Sequence, residues 1–175
     1  MSDSLKGGLK GATQVIAELK RRGESLAACE SLTAGLYMAS LADVPGASAV
    51  LKGGFVTYAT SLKHALAGVE QSILDEFGPV SSQCAVAMAE GARLCCNASW
   101  GISLTGVAGP EQQAGHPVGE VWIGVAFPDG KTKAYRAGDI SCGETEEGLL
   151  VGGRSLIRSA AVRCAHALIL QLLKK

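Results

Sequence analysis

The stretch Ala27-Ala28-Cys29-Glu30-Ser31-Leu32-Thr33-Ala34-Gly35 constrains this chain more than any other. An apolar run enters it and a helix-like pattern, Leu36, Met38, Ala39 and Leu41, leaves it. Glu30 to Thr33 therefore bridge the carboxyl end of a strand and the start of a helix. Open α/β sheets hold their ligands at such junctions, where helix N–H groups carry partial positive charge. Two hydroxyls and a carboxylate stand there, and they have two readings: Ser31 or Thr33 caps the helix, or the group does chemistry.

Composition narrows the classes. A length of 175 residues with no Pro-rich or low-complexity linker suits one domain, residues 1–175, with a full core. Charged residues make up 18% and hydrophobic ones 47%, with 23 glycines, which points to a well-buried α/β chain with many tight turns. Sixteen basic and sixteen acidic residues cancel, so no basic field serves nucleic-acid or membrane binding. None of the cysteines, Cys29, Cys84, Cys95, Cys96, Cys142 and Cys164, has C-x-x-C spacing, and no Cys/His pair has zinc-finger spacing. Buried free thiols are expected, with no metal. No leader pattern and no apolar run of membrane-spanning length is read, so the expected setting is cytoplasmic.

Leu5, Leu9, Ala12, Val15, Ile16 and Leu19 recur at three and four, predicting an amphipathic helix over 4–22 ended by Gly23. Ser25 to Cys29 is a short buried strand, and the helix after the junction stops near Asp43-Val44-Pro45-Gly46. Residues 50–58 form a strand interrupted by Gly53-Gly54, a bulge or close-approach signal. The hydroxyl-rich turn at Thr60-Ser61 caps a short helix, a second helix spans Gln71 to Phe77, and Ser81-Ser82 starts a long one. Its small and apolar positions, Cys84, Ala87, Met88, Gly91, Ala92, Leu94 and Cys95, allow close packing on a sheet. Trp100 to Leu104 is a central strand running into Thr105-Gly106. Val118 to Phe127 alternates cleanly and Pro128-Asp129-Gly130 turns it into Lys131 to Ala137, a hairpin that excludes a wholly parallel sheet. A polar, glycine-rich stretch, 138–153, precedes a last helix over 154–173.

Three strand-end turns carry chemistry-bearing residues: Glu30 to Thr33, Tyr58 to Lys63, and Thr105-Gly106. In a sheet of mainly parallel strands they share one edge and line one crevice. Serine needs a base to become a nucleophile, and His64, His116 and His166 stand in no catalytic context. A desolvated lysine is the other option, because it loses its proton near neutral pH; Lys63 is that lysine, with Tyr58 as relay. The alternative is a solvated Lys63 at a helix start. Glu30 orients a ligand hydroxyl or pairs with an arginine, and Arg154 and Arg158, four apart, clamp a phosphate or are ordinary surface charges.

Several blocks also resemble a known family. Ala28 to Gly35, Lys52-Gly53-Gly54-Phe55-Val56-Thr57-Tyr58, Val86 to Arg93, Thr105 to Pro110 and Pro117 to Trp122 are similar, in order and spacing, to the CinA carboxy-terminal domain. The resemblance implies a three-layer α/β/α sandwich with a mixed, mainly parallel sheet and one hairpin-linked antiparallel strand. It implies a deamidase that converts nicotinamide mononucleotide to nicotinic acid mononucleotide and ammonia, a pyridine nucleotide salvage step, with no cofactor and no metal.

Carried over by position, the resemblance makes Ser31 the nucleophile, Lys63 and Tyr58 its activating neighbours, and Thr105 with the turn after it a source of donors for the oxyanion. Glu30, Thr33, Gly35, Gly106, Gly109 and Arg154 are the substrate-binding set, with helix-start N–H groups aiding the oxyanion. Ala34 replaces the first glycine of the family's T-G-G, a minor change where φ is negative. Glu111-Gln112-Gln113-Ala114-Gly115 replaces a glycine pair, and Gly153 replaces the acidic residue before Arg154. The family's larger members carry an additional amino-terminal domain that this sequence lacks. The expected partner is the mononucleotide, with no nucleic acid or membrane and a possible homodimer. A nucleotide-binding module without turnover is the alternative, and a DNA-associated competence factor is disfavoured by the zero net charge.

Overall fold

The computed structural model describes residues 3–140, 142 and 144–175, with side chains from residue 10 onward. β1 (Leu26–Glu30) is an interior strand, flanked by two strands parallel to it, β2 (Leu51–Val56) at the sheet edge and β3 (Trp100–Gly106) at the centre. β4 (Val121–Ala126) runs antiparallel to β3, and β5 (Thr132–Arg136) pairs antiparallel with β4, giving the order β2-β1-β3-β4-β5. The hairpin expectation therefore holds, with β4 as the one reversed strand. Register then fixes the functional edge: Glu30 lies level with Val56 and with Leu104, so the three parallel strands end together.

Helices cover both faces. α1 (Asp3–Arg22), α2 (Leu36–Ala42) and α6 (Arg154–Leu173) take one side, while α3 (Thr60–Ala67), α4 (Gln71–Phe77) and α5 (Ser82–Cys95) take the other. β1 shows why both faces must be covered: Leu26 and Ala28 join the first core, Ala27 and Cys29 the second, and every residue of the strand is buried. In α1, Ala12, Val15, Ile16 and Leu19 are buried as their spacing predicts; the side chains of Leu5 and Leu9 lie outside the described residues. Each large core side chain of this kind contributes about 1.5–3 kcal/mol.

Glycines set the closeness of the layers. A Cβ on Gly124 would stand 2.0 Å from the Ala85 carbonyl oxygen and one on Gly101 2.0 Å from that of Ala89, so α5 lies directly on β3 and β4. At Gly53-Gly54 both expectations are met: pairing with β1 skips Lys52, and a Cβ on Gly54 would fall 1.8 Å from the Ala28 oxygen.

Four expectations are corrected. Thr60 and Ser61 do not cap α3, whose N-cap is Ala59 without a side-chain bond. The 138–153 stretch is not plain loop: β6 (Thr145–Glu146) and β7 (Leu149–Leu150) pair within it, and buried Leu150 hydrogen-bonds through its N–H to the Gly119 oxygen at 3.0 Å. Cys142 and Cys164 form a disulfide across a Cα separation of 5.4 Å, joining that stretch to α6. Their proximity is created by the fold and leaves no trace in spacing; a cytoplasmic setting argued from free thiols loses that support. Cys29 and Cys84 are buried thiols as expected, whereas Cys95 is exposed. Finally, α6 is long and apolar enough by composition to cross a membrane, but Ile157, Ala161, Cys164, Ala165, Leu168 and Ile169 are buried in the core.

The β1–α2 junction departs most from expectation. Neither Ser31 nor Thr33 caps α2; its N-cap is Gly35, at φ 92°. The capping group is Glu30, fully buried, whose carboxylate accepts from the N–H groups of Gly35 at 3.0 Å, Tyr37 at 3.0 Å and Met38 at 2.9 Å. Ala34 has φ 51°, so the alanine that replaces glycine sits in the left-handed region and is strained.

Glu30→Gln, which sets an amide among three donors, is expected to lower stability by about 3 kcal/mol. That corresponds to a Tm lower by about 6–12 °C for a chain of this size. Ala34→Gly is expected to raise stability by about 0.5–1 kcal/mol. Thermal unfolding of the two variants beside the parent checks both signs.

Candidate active site

Because β1, β2 and β3 end level, the segments leaving them surround one cavity of about 510 Å³. Ser31 and Leu32 come from the β1–α2 turn, Tyr58 and Thr60 from the β2–α3 connection, and Lys63 from α3. Pro79 and Val80 precede α5, Thr105 to Gln113 run from the end of β3, and Arg154 opens α6. Of the expected site residues, Ser31, Tyr58, Lys63, Thr105, Gly106, Gly109 and Arg154 are thus brought together.

Ser31 is half-buried and is held at the lip of the sheet by its N–H, which donates to the Leu104 oxygen at 2.9 Å. Lys63 is not the solvated alternative: it is 2% exposed, and its Nζ donates to the Thr57 oxygen at 3.1 Å. Burial among apolar groups holds its ammonium below the ordinary lysine value of 10.5. Burial likewise pushes the neighbouring Cys29 and Cys84 thiols up to about 11, so neither supplies a counter-charge near neutral pH. Among the described residues no carboxylate forms an ion pair with Lys63. Desolvation thus favours the neutral form of Lys63 more than it would for an exposed lysine.

The remaining expectations divide. Arg154 donates through Nη1 to the Gly109 oxygen at 2.6 Å and through Nη2 to the Tyr58 hydroxyl, tying the β2 and β3 loops to the start of α6. Tyr58, 55% exposed, is therefore partnered with Arg154, and a relay from Lys63 through it is not formed. Thr105 lines the cavity, but its hydroxyl proton goes to the Pro79 oxygen at 2.6 Å, leaving only acceptor capacity.

Glu30, Thr33 and Gly35, expected to bind substrate, are not among the residues that line the cavity: Glu30 and Gly35 build the α2 cap, and Thr33 is fully buried. The same cap takes the α2 N–H groups that were expected to face an oxyanion. Arg158 is no phosphate clamp, because its guanidinium donates to the Leu32 and Thr33 oxygens at 2.9 and 2.8 Å. None of the histidines lines the cavity; His64 bonds the Val69 oxygen, His116 pairs with Glu120, and His166 meets Ser40.

Sequence reasoning passed over Thr60, Pro79, Val80 and the Glu111-Gln112-Gln113 wall as site residues. The last of these had a signal, since it follows directly on the Thr105-Gly106 turn. Its shape comes from a tight reversal in which Gln113 and His116 exchange backbone hydrogen bonds of 3.2 and 2.9 Å.

The chain is similar to known proteins over nearly its whole length. The CinA C-terminal domain model matches residues 9–173. A putative competence-damage inducible protein of Limosilactobacillus reuteri is 43% identical over 164 residues, 94% of this chain but 37% of that protein. One from Streptococcus thermophilus is 52% identical over 115 residues, 66% of this chain and 27% of that protein. The chain therefore spans well under half the length of these curated relatives. Among solved structures, the competence/damage inducible protein CihA of Agrobacterium tumefaciens superposes with a TM-score of 0.83 at 32% identity, covering 97% of this chain and 96% of that one. The competence damage-inducible protein A of Klebsiella pneumoniae gives 0.86 at 27% identity, over 95% and 97%. The match of the family model over residues 9–173 and these relatives show that the chain belongs to the CinA C-terminal domain family.

Proposed function

We propose that this domain is an amidohydrolase cleaving the carboxamide of nicotinamide mononucleotide to nicotinic acid mononucleotide and ammonia. The observation that carries the reading is Lys63, a buried amine with no ion-paired carboxylate among the described residues, lining the same cavity as Ser31. In the proposed reaction the Ser31 Oγ proton passes to the neutral Lys63 amine as Oγ bonds the amide carbon and the carbonyl electron pair moves onto oxygen. Collapse of that adduct re-forms the carbonyl and expels ammonia, which takes its proton from the Lys63 ammonium. Water, giving a proton back to Lys63, then cleaves the acyl ester; Ser31 recovers its proton and the product leaves as the acid.

Arg154 suits the anionic end of the substrate: its guanidinium has five N–H donors, and here two bonds, to Gly109 and Tyr58, fix it at the cavity wall. A second reading, a nucleotide-binding module without turnover, is favoured by the Thr105 and Tyr58 hydroxyls being bonded to Pro79 and Arg154.

Ammonia release from the mononucleotide by the purified protein tests the choice. Ser31→Ala is expected to lower kcat by about 10³-fold or more while the mononucleotide still raises Tm. Release unaffected by Ser31→Ala would remove the nucleophile, and no release by the parent despite a raised Tm would favour the binding module.

The pH dependence has a definite sign. The working form of Lys63 is the free amine, and its folded-state value lies below 10.5, so kcat/KM is expected to rise with pH through a limb below that value. Lys63→Arg, whose guanidinium stays charged, is expected to abolish both the limb and the turnover. A flat profile in the parent would exclude Lys63 as the base.

A further inference from the structure

The residues after Ser31 hold a feature that the proposed reaction leaves unused. The Ala34 N–H donates to the Ser31 oxygen at 3.1 Å, closing a tight turn over Leu32 and Thr33. The carbonyls of those two residues are both gripped by one guanidinium, that of Arg158, at 2.9 and 2.8 Å. Their own N–H groups donate to no acceptor among the described residues, although Leu32 is 4% exposed and Thr33 0%. Buried backbone donors are paired in the great majority of cases, so the orphan on Leu32, which lines the cavity beside Ser31, points to a ligand atom.

Peptide geometry connects these facts. In a trans peptide the C=O and the following N–H point in opposite directions. Arg158, drawing the Thr33 oxygen toward α6, therefore turns the Ala34 N–H the other way, onto the Ser31 oxygen. Ser31 accepting from Ala34 fixes the Leu32 N–H in the same manner, and Leu32 itself forms part of the cavity wall. The α2 N–H groups cannot do this work, since Glu30 holds them.

We propose that Arg158 is a positioning residue: by binding the Leu32 and Thr33 carbonyls it holds the turn that presents the Leu32 N–H as an oxyanion donor for the adduct on Ser31. The inference rests on the deamidase reading above. When Ser31 Oγ bonds the amide carbon, the electron pair leaving the carbonyl bond settles on the oxygen that this donor receives. Arg158 touches neither substrate nor reacting atoms. Its side chain acts through the turn alone.

Steady-state kinetics of the parent, Arg158→Ala and Arg158→Lys on nicotinamide mononucleotide test this, with Tm recorded for each. Removing an oxyanion donor costs about 10²–10³-fold in kcat, so Arg158→Ala is expected to lose about 100-fold in kcat with KM within about 2-fold and the pH limb of Lys63 unmoved. Added ethylguanidine is expected to recover at least ~10-fold of that loss, because the planar fork and not charge alone fits two carbonyls, whereas ethylammonium recovers none. Arg158→Lys, which retains the cation in case the alanine variant does not fold, is expected to keep the parent's KM and to lose most of its kcat. Parent-like kcat in either folded variant, or a change confined to KM, overturns the proposal.

Should the parent release no ammonia, the deamidase reading has failed, and the site is judged separately. A boronic acid forming a tetrahedral adduct on Ser31 should then shift the amide proton of Leu32 in the parent and not in Arg158→Lys. An unshifted Leu32 amide in a parent that carries the adduct overturns it.

Discussion

The structure turns on one buried carboxylate. Glu30 ends β1 with no exposure to solvent, and three N–H groups from the start of α2 surround it. A carboxylate so enclosed is tolerated only because it is satisfied, and its satisfaction fixes where α2 begins relative to β1. The chain between them has only Ser31 to Ala34 in which to reverse, and the reversal carries Ala34 to positive φ and Ser31 to the cavity wall. The nucleophile candidate is thus placed by a salt-like backbone cap and not by its own capping bond.

α6 supplies the second constraint. Its first two turns present Arg154 and Arg158, and between them these side chains reach the turn after β1, the segment after β2 and the loop after β3. Three loops that would otherwise vary independently are referred to one rigid helix, which is buried along Ile157, Ala161 and Ala165. Lys63 reaches the same cavity from α3 with Cys29 and Cys84 as electrostatic neighbours, both held as neutral thiols by burial.

Much of this was legible in the residues. The spacing of Ala12, Val15, Ile16 and Leu19, the alternation of Val121, Ile123 and Val125, and the glycines at 53 and 54 each report a local periodicity or steric demand, and each element formed where those demands placed it. The convergence of Ser31, Lys63 and Thr105 also followed, because parallel strands end at one edge. Partnerships were not legible. Glu30 as a cap, Arg158 on two carbonyls, Thr105 on Pro79 and Cys142 on Cys164 each join segments whose proximity is created only when the layers pack.

The sequence by itself determined the element types, the mixed sheet and the set of residues at its carboxyl edge, since periodicity, turn chemistry and chain direction are local properties. The tertiary structure decided which of those residues face the cavity and what surrounds each. Burial of Lys63 and of Glu30 is equal in kind, yet one is left without a counter-charge and the other receives three donors. That difference is set by which backbone groups from distant segments surround each side chain, and desolvation and hydrogen bonding at such distances exist only in the folded chain.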